Sequence, residues 1–167
     1  MVKAAKAEIA RQEEIERQKI RDAEFKVAFK AAREDIINAN PKIKDQFIKA
    51  GLGDLLELIK VAKIKKDQTL SIGDTKFITT TVGNYHITED GAIYKNDQTQ
   101  ASPHYKRICS IPVELMIYVQ AAIELKDEAQ YAEQEAQYAK QKAEQEAERI
   151  KFIASEISSE LQKAKTK

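Results

Sequence analysis

All five glycines and all three prolines of this chain lie between residues 41 and 112. The stretches 1–39 and 113–167, more than half of the 167 residues, contain neither. Proline and glycine are the residues that kink, stop and cap helices. A chain rich in Ala, Glu, Lys and Gln without them has nothing to end a helix once it has begun. The C-terminal stretch therefore predicts one continuous helix of about 54 residues, roughly 80 Å long at 1.5 Å per residue. Ser110 is expected to cap it, Pro112 suits its first turn, and Glu114 suits its positive end. Its first turns are apolar almost all round, from Val113 to Leu125, which predicts a buried root.

Beyond that root the helix carries a seven-residue repeat. Gln130-Tyr131-Ala132-Glu133-Gln134-Glu135-Ala136 is followed at once by Gln137-Tyr138-Ala139-Lys140-Gln141-Lys142-Ala143. With Ala129 as position a, the a residues are Ala129, Ala136, Ala143, Ile150, Ile157 and Ala164, and the d residues are Ala132, Ala139, Glu146, Ile153 and Glu160. Alanine at a and d permits close helix approach but buries little area, so Ile150, Ile153 and Ile157 supply most of the hydrophobic energy. A strict seven-residue spacing calls for a left-handed supercoil with a partner helix. Two partners fit: the N-terminal helix folded back as a hairpin, or another copy of the chain. Residues 1–40 carry nine basic and eight acidic side chains and residues 111–167 carry eight and eleven, a weak bias toward pairing them. Tyr131 and Tyr138 lie two turns apart on one face. They either flank the seam or anchor a bound protein, since tyrosine is enriched at interface hot spots.

In the N-terminal stretch Phe25, Ala28, Phe29, Ala32 and Ile36 recur at three- and four-residue steps and form one apolar stripe. Earlier, Ile9, Ile15 and Ile20 sit among charges, which predicts an exposed helix supported by pairs such as Glu13–Arg17. Asn40-Pro41 ends it. Between them the pattern changes. Ile43, Phe47 and Ile48 predict a short helix closed by Gly51. Asp54 then reads as the N-cap of a second helix running through Leu55, Ile59 and Ile64. From Thr69 the period becomes two. Lys76 to Val82, Tyr85 to Thr88, Ala92 to Lys95 and Tyr105 to Cys109 read as strands, with Gly83-Asn84 and Asp90-Gly91 as turns and Asn96 to Pro103 as a polar loop. Such a sheet needs a helical cover.

The expected fold is thus α+β, mainly α. A 41–109 head of antiparallel strands and two short helices is joined to a 1–40 helix and a 110–167 helix that form a coiled-coil stalk. A net charge of +1 gives no bulk attraction to nucleic acid or to an acidic membrane, and no apolar run reaches the ~18 residues needed to span a bilayer. Mixed charges on every face of the N-terminal helix argue against interfacial anchoring. The N-terminus lacks an apolar export segment and Cys109 is the only cysteine, which together predict a reducing, cytoplasmic setting.

No enzymatic chemistry is expected. His86, His104 and Cys109 match no compact metal-ligand spacing and read as two surface histidines and a small core thiol, not as a zinc site or a thiol–imidazole pair. Gly51-Leu52-Gly53 lacks the third glycine of a dinucleotide loop and no G-K-[ST] occurs, so no phosphate-binding cofactor is implied. What is left is recognition. Lys63, Lys65 and Lys66, with Tyr94 and Arg107, are the candidate partner-binding residues of the head, and Tyr131 and Tyr138 those of the long helix. Ala132, Ala136, Ala139, Ala143, Ile150, Ile153 and Ile157 form the candidate oligomer seam.

One stretch resembles a known family. Tyr85-His86-Ile87-Thr88-Glu89-Asp90-Gly91-Ala92-Ile93-Tyr94, then Lys106-Arg107-Ile108-Cys109-Ser110, is similar to the opening hairpin of a helicase-like domain of phages and mobile elements. In that family a T-E-D-G turn between two strands precedes an R-[IV]-C strand. The phosphate-binding loop of the family's ATPase core is missing, so ATPase activity does not carry over. The resemblance implies a phage or mobile-element origin and a hairpin reused for docking. The function these features favour is an oligomeric, non-enzymatic binding or adaptor protein, a dimer above all, acting as an accessory factor or as an inhibitor of a host or replication protein. Two alternatives stay open. One is a nucleic-acid binder using Lys60 to Lys66 and the strand aromatics. The other is a nucleotide or small-ligand binder at a subunit interface with His86, Tyr94, His104 and Arg107.

Overall fold

The computed structural model describes residues 2–97 and 104–167. Its elements are α1 (Val2–Ile37), α2 (Pro41–Lys49), α3 (Leu55–Val61), β1 (Ile64–Ile72), β2 (Thr75–Val82), β3 (Tyr85–Thr88), β4 (Ala92–Asn96), β5 (Tyr105–Ser110) and α4 (Val113–Lys165). The protein is mainly helical, with one antiparallel sheet in the order β1-β2-β3-β4-β5. From residue 98 on, the expected Asn96–Pro103 loop lies outside the described residues. The chain divides into two compact units, one up to Lys126 and one from Asp127 to Lys167.

In the first unit the breaks fall where the sequence places them. Ala39 takes a left-handed φ of 49° at the end of α1. The Asn40 side chain then accepts a hydrogen bond from the Lys42 N–H at 3.1 Å and donates one to Asp35 at 2.9 Å, while Pro41 opens α2. Gly51, at φ 74°, closes that helix. The Gly51 N–H donates to the Ile48 carbonyl at 3.0 Å and the Leu52 N–H to the Phe47 carbonyl at 2.8 Å. Those are the two bonds of a Schellman stop, with Leu52 buried beside them.

Three local expectations are corrected. Asp54 has helical dihedrals and its side chain makes no capping bond. The second short helix ends at Val61, and Ile64 belongs to β1. Pairing decides this: Ile64 lies opposite Val82, and the Gly83 N–H donates to the Lys63 carbonyl at 3.1 Å. The sheet thereby satisfies backbone groups that a longer helix would have left at its frayed end. Ser110 closes β5, where its hydroxyl accepts from Arg107. The first turn of α4 forms instead on the Pro112 carbonyl, bonded by the Leu115 N–H at 2.9 Å.

The core lies between one face of the sheet and α2, α3 and the root of α4. Phe47, Ile59, Val82 and Val119 are its largest fully buried side chains, and Ile87, Ile93, Ile111 and Leu115 pack with them. The Thr88-Glu89-Asp90-Gly91 turn is tucked beneath α4. The Gly91 carbonyl accepts from the Ile111 N–H at 2.7 Å. A Cβ on Gly91 would fall 2.9 Å from the Met116 sulfur, so only glycine fits at its φ of 89°. The Phe25–Ile36 stripe is used at one end only. Ala32 is buried and Ile36 packs on the core, whereas Phe25 stays exposed with its ring stacked 5.7 Å from that of Phe29. The Glu13–Arg17 pair is present at 3.6 Å.

In the second unit α4 continues unbroken, and every residue from 131 to 167 is exposed.

Candidate functional site

Antiparallel pairing brings one residue from each strand into register across the whole sheet. Lys65 pairs with Thr81, Thr81 with His86, His86 with Tyr94, and Tyr94 with Arg107. Directly paired residues share a face, with Cβ atoms about 5 Å apart. The row therefore runs Lys65, Thr81, His86, Tyr94, Arg107, with a cation at each end and aromatic rings toward the middle. It lies on the face turned away from the core, because the alternate residues Ile64, Val82, Ile87 and Ile93 are the core ones.

More rings extend the row into a patch. Phe77 lies 6.0 Å from Tyr94, centroid to centroid, and Tyr105 meets His86 edge-on at 5.2 Å. Leu70, paired with Phe77 and so on the same face, is buried outside the main core. The Thr81 hydroxyl lies 3.2 Å from His86 Nδ1. Partial burial holds His86 below its ordinary value of 6.5, so the ring is neutral at neutral pH and suits stacking better than charge pairing.

The candidate residues separate accordingly. Lys65, Tyr94 and Arg107 belong to this patch. Lys66 points to the other side, where its ammonium meets Glu124 of α4 at 2.5 Å. That is the normal alternation of a strand; the bulge between Lys65 and Gln68, with Asp67 at φ 54°, shifts the register beyond it. Lys63 is exposed just before β1. Tyr131 and Tyr138, 64% and 70% exposed, lie in the second unit, as does the seam from Ala132 to Ile157. Thr81 escaped the sequence reading, although the two-residue Gly83-Asn84 turn already sets Thr81 opposite His86 by counting outward from Val82 and Tyr85.

The chemical candidates stay apart. Cys109 packs against the core, and burial pushes its thiol up from its ordinary value, which leaves it a poor nucleophile. His104 is exposed, and its backbone bonds Asp97 and Asn96 at the end of the hairpin. Among the described residues no group of three His, Cys, Asp or Glu side chains could hold a metal ion. No helix among them is long and apolar enough to cross a membrane. Gly51-Leu52-Gly53 is the helix stop described above.

The His86 environment has a pH consequence. A histidine whose folded pKa is depressed by burial binds protons more readily when unfolded. Its contribution to stability is therefore complete above 6.5 and is lost as pH falls through the lower folded value. Thermal unfolding is expected to show a Tm that falls as pH drops below 6.5, and His86→Gln should flatten that part of the profile. An unchanged profile in the variant would place the acid sensitivity elsewhere.

No family model, no curated protein and no solved structure matches this chain.

Proposed function

We propose that the protein is a non-enzymatic, oligomeric binding protein. Its head docks a macromolecular partner on the outer sheet face, and its long helix sets the assembly. One observation carries this reading. α4 spends its root on the core and then continues to Lys165, fully exposed from residue 131, while repeating an apolar seam every seven residues. A helix is stabilised in water mainly by packing its apolar face, so a seam of this length fits a helix made to be covered. The hairpin resemblance extends the reading to an accessory factor or inhibitor of phage or mobile-element type, acting in the cytoplasm.

A second reading has its own support. The row from Lys65 to Arg107 sets stacking rings between two cations, an arrangement suited to a single nucleic-acid strand, whose bases stack on aromatic rings while lysine and arginine meet phosphate.

Lys65→Glu, Tyr94→Ala and Arg107→Ala test the head. Each is expected to lower partner retention from a native-host extract, by about 2 kcal/mol or roughly thirtyfold for a central contact. The readout is mass spectrometry of retained proteins together with the ultraviolet absorbance ratio of the purified protein, which reveals carried nucleic acid. Unchanged retention by all three, with loss on Tyr131→Ala and Tyr138→Ala, would move recognition to the long helix.

A further inference from the structure

The exposed seam of α4 has two unlike halves. Ala129, Ala132, Ala136, Ala139 and Ala143 make a slim half. The other carries Ile150, Ile153 and Ile157, which are 61%, 44% and 56% exposed. Two copies in parallel would set alanine against alanine and isoleucine against isoleucine. Two antiparallel copies can set alanine opposite isoleucine.

We propose that this face binds a second copy of itself in antiparallel orientation, with Ala139 of each chain opposite Ile157 of the other and Ala143 opposite Ile153. The inference rests on the oligomeric reading above and adds the occupant and its direction. In this stagger Ala132 lies opposite Ala164, Ala136 opposite Glu160 and Glu146 opposite Ile150. The exposed lengths of both helices are then covered together.

Charge favours the same arrangement. The residues preceding each a position flank a coiled-coil seam and meet their own kind when helices run antiparallel. Glu135 then faces Lys163, and Lys142 faces Glu156, each twice by symmetry. Arg149 faces its own copy, but at the layers that hold the two Glu146 side chains, so the centre balances. A parallel pair would press Glu146 on Glu146 and Glu160 on Glu160 inside the seam, and on its flanks the repulsion of Glu128 and Glu133 offsets the attraction of Glu135 and Lys140. A different antiparallel stagger, with Ala136 opposite Ala139, also matches charges. It would lay Ile150 and Ile153 against Leu125 and Ala122, and Ala122 is already buried in the core of the first unit.

Mixing full-length Ala139→Cys with full-length Ile157→Cys under mild oxidation tests the orientation, with wild type as the control for Cys109. The expected product is a covalent dimer in which mass spectrometry finds residue 139 joined to residue 157, formed in the mixture and not by either variant alone. Light scattering of the unmodified protein should give twice 18.9 kDa. Self-linking of Ala139→Cys would show parallel helices and overturn the pairing, leaving the oligomeric reading in place. A dimeric mass with no link at either position would put the contact on another face and overturn the pairing too. A mass of 18.9 kDa at every concentration would overturn the oligomeric reading and the pairing with it.

Discussion

The double variant Ala136→Asp/Ala139→Asp is expected to be monomeric at concentrations where the parent protein is assembled. Both residues are exposed in the single chain, so the new carboxylates cost the isolated helix little. Between helices paired as proposed, the carboxylate at position 139 meets Ile157 and the one at position 136 meets the like charge of Glu160, and both lose their water. A charge buried without a partner costs several kcal/mol, and two of them weaken association by roughly a thousandfold or more. Sedimentation or light scattering reads the effect, and circular dichroism of the head shows whether the sheet is intact. An assembled double variant would place the contact away from the seam.

Phe47→Ala should produce the largest loss of stability of any single truncation. Phe47 is completely buried where α2 meets the sheet and the root of α4. Removing its ring leaves a cavity that a close-packed interior fills only partly, at a cost of about 3–5 kcal/mol. That is a large part of the ~5–15 kcal/mol by which domains are stable. The control is Phe152→Ala on the exposed part of α4, where the ring is 63% exposed and the expected change is within about 0.5 kcal/mol. Guanidinium unfolding, followed by near-ultraviolet circular dichroism of the head tyrosines, should separate the two variants. Equal midpoints would show that the core does not close on Phe47.

These two expectations draw on different information. The Ala136/Ala139 test uses only spacing. Seven-residue periodicity and the absence of glycine and proline are local properties, and they determine that residues 113–165 form one helix and which residues share its seam. The same holds for the stops at Asn40-Pro41 and Gly51, where the backbone of a few neighbouring residues closes its own hydrogen bonds. The Phe47 test needs packing. An apolar residue on a short helix is marked for burial by its chemistry, but only the assembled core makes it one of the four largest fully buried side chains.

The candidate binding face was half legible. Lys65, His86, Tyr94 and Arg107 could be singled out by type. Their alignment with Thr81 in one row could not, because a cross-strand row depends on the register of four pairings at once, and a slip of one residue turns a strand's side chains to the other face. Lys65 and Lys66 take opposite sides by plain alternation along the strand, but the bulge at Lys65–Gln68 then shifts the register and returns Gln68 to the face of Lys65.

Ile64 shows the same division most plainly. Its neighbours Leu55, Ile59 and Ala62 continue a helical spacing, and by local pattern the helix extends through it. The tertiary structure ends that helix at Val61, because Ile64 gains both a strand partner in Val82 and a place in the core. Periodicity and punctuation within the sequence determined which segments are helical or extended. Long-range pairing between strands decided where one element yields to the next and which side chains share the outer face, since those hydrogen bonds join residues that no local pattern connects.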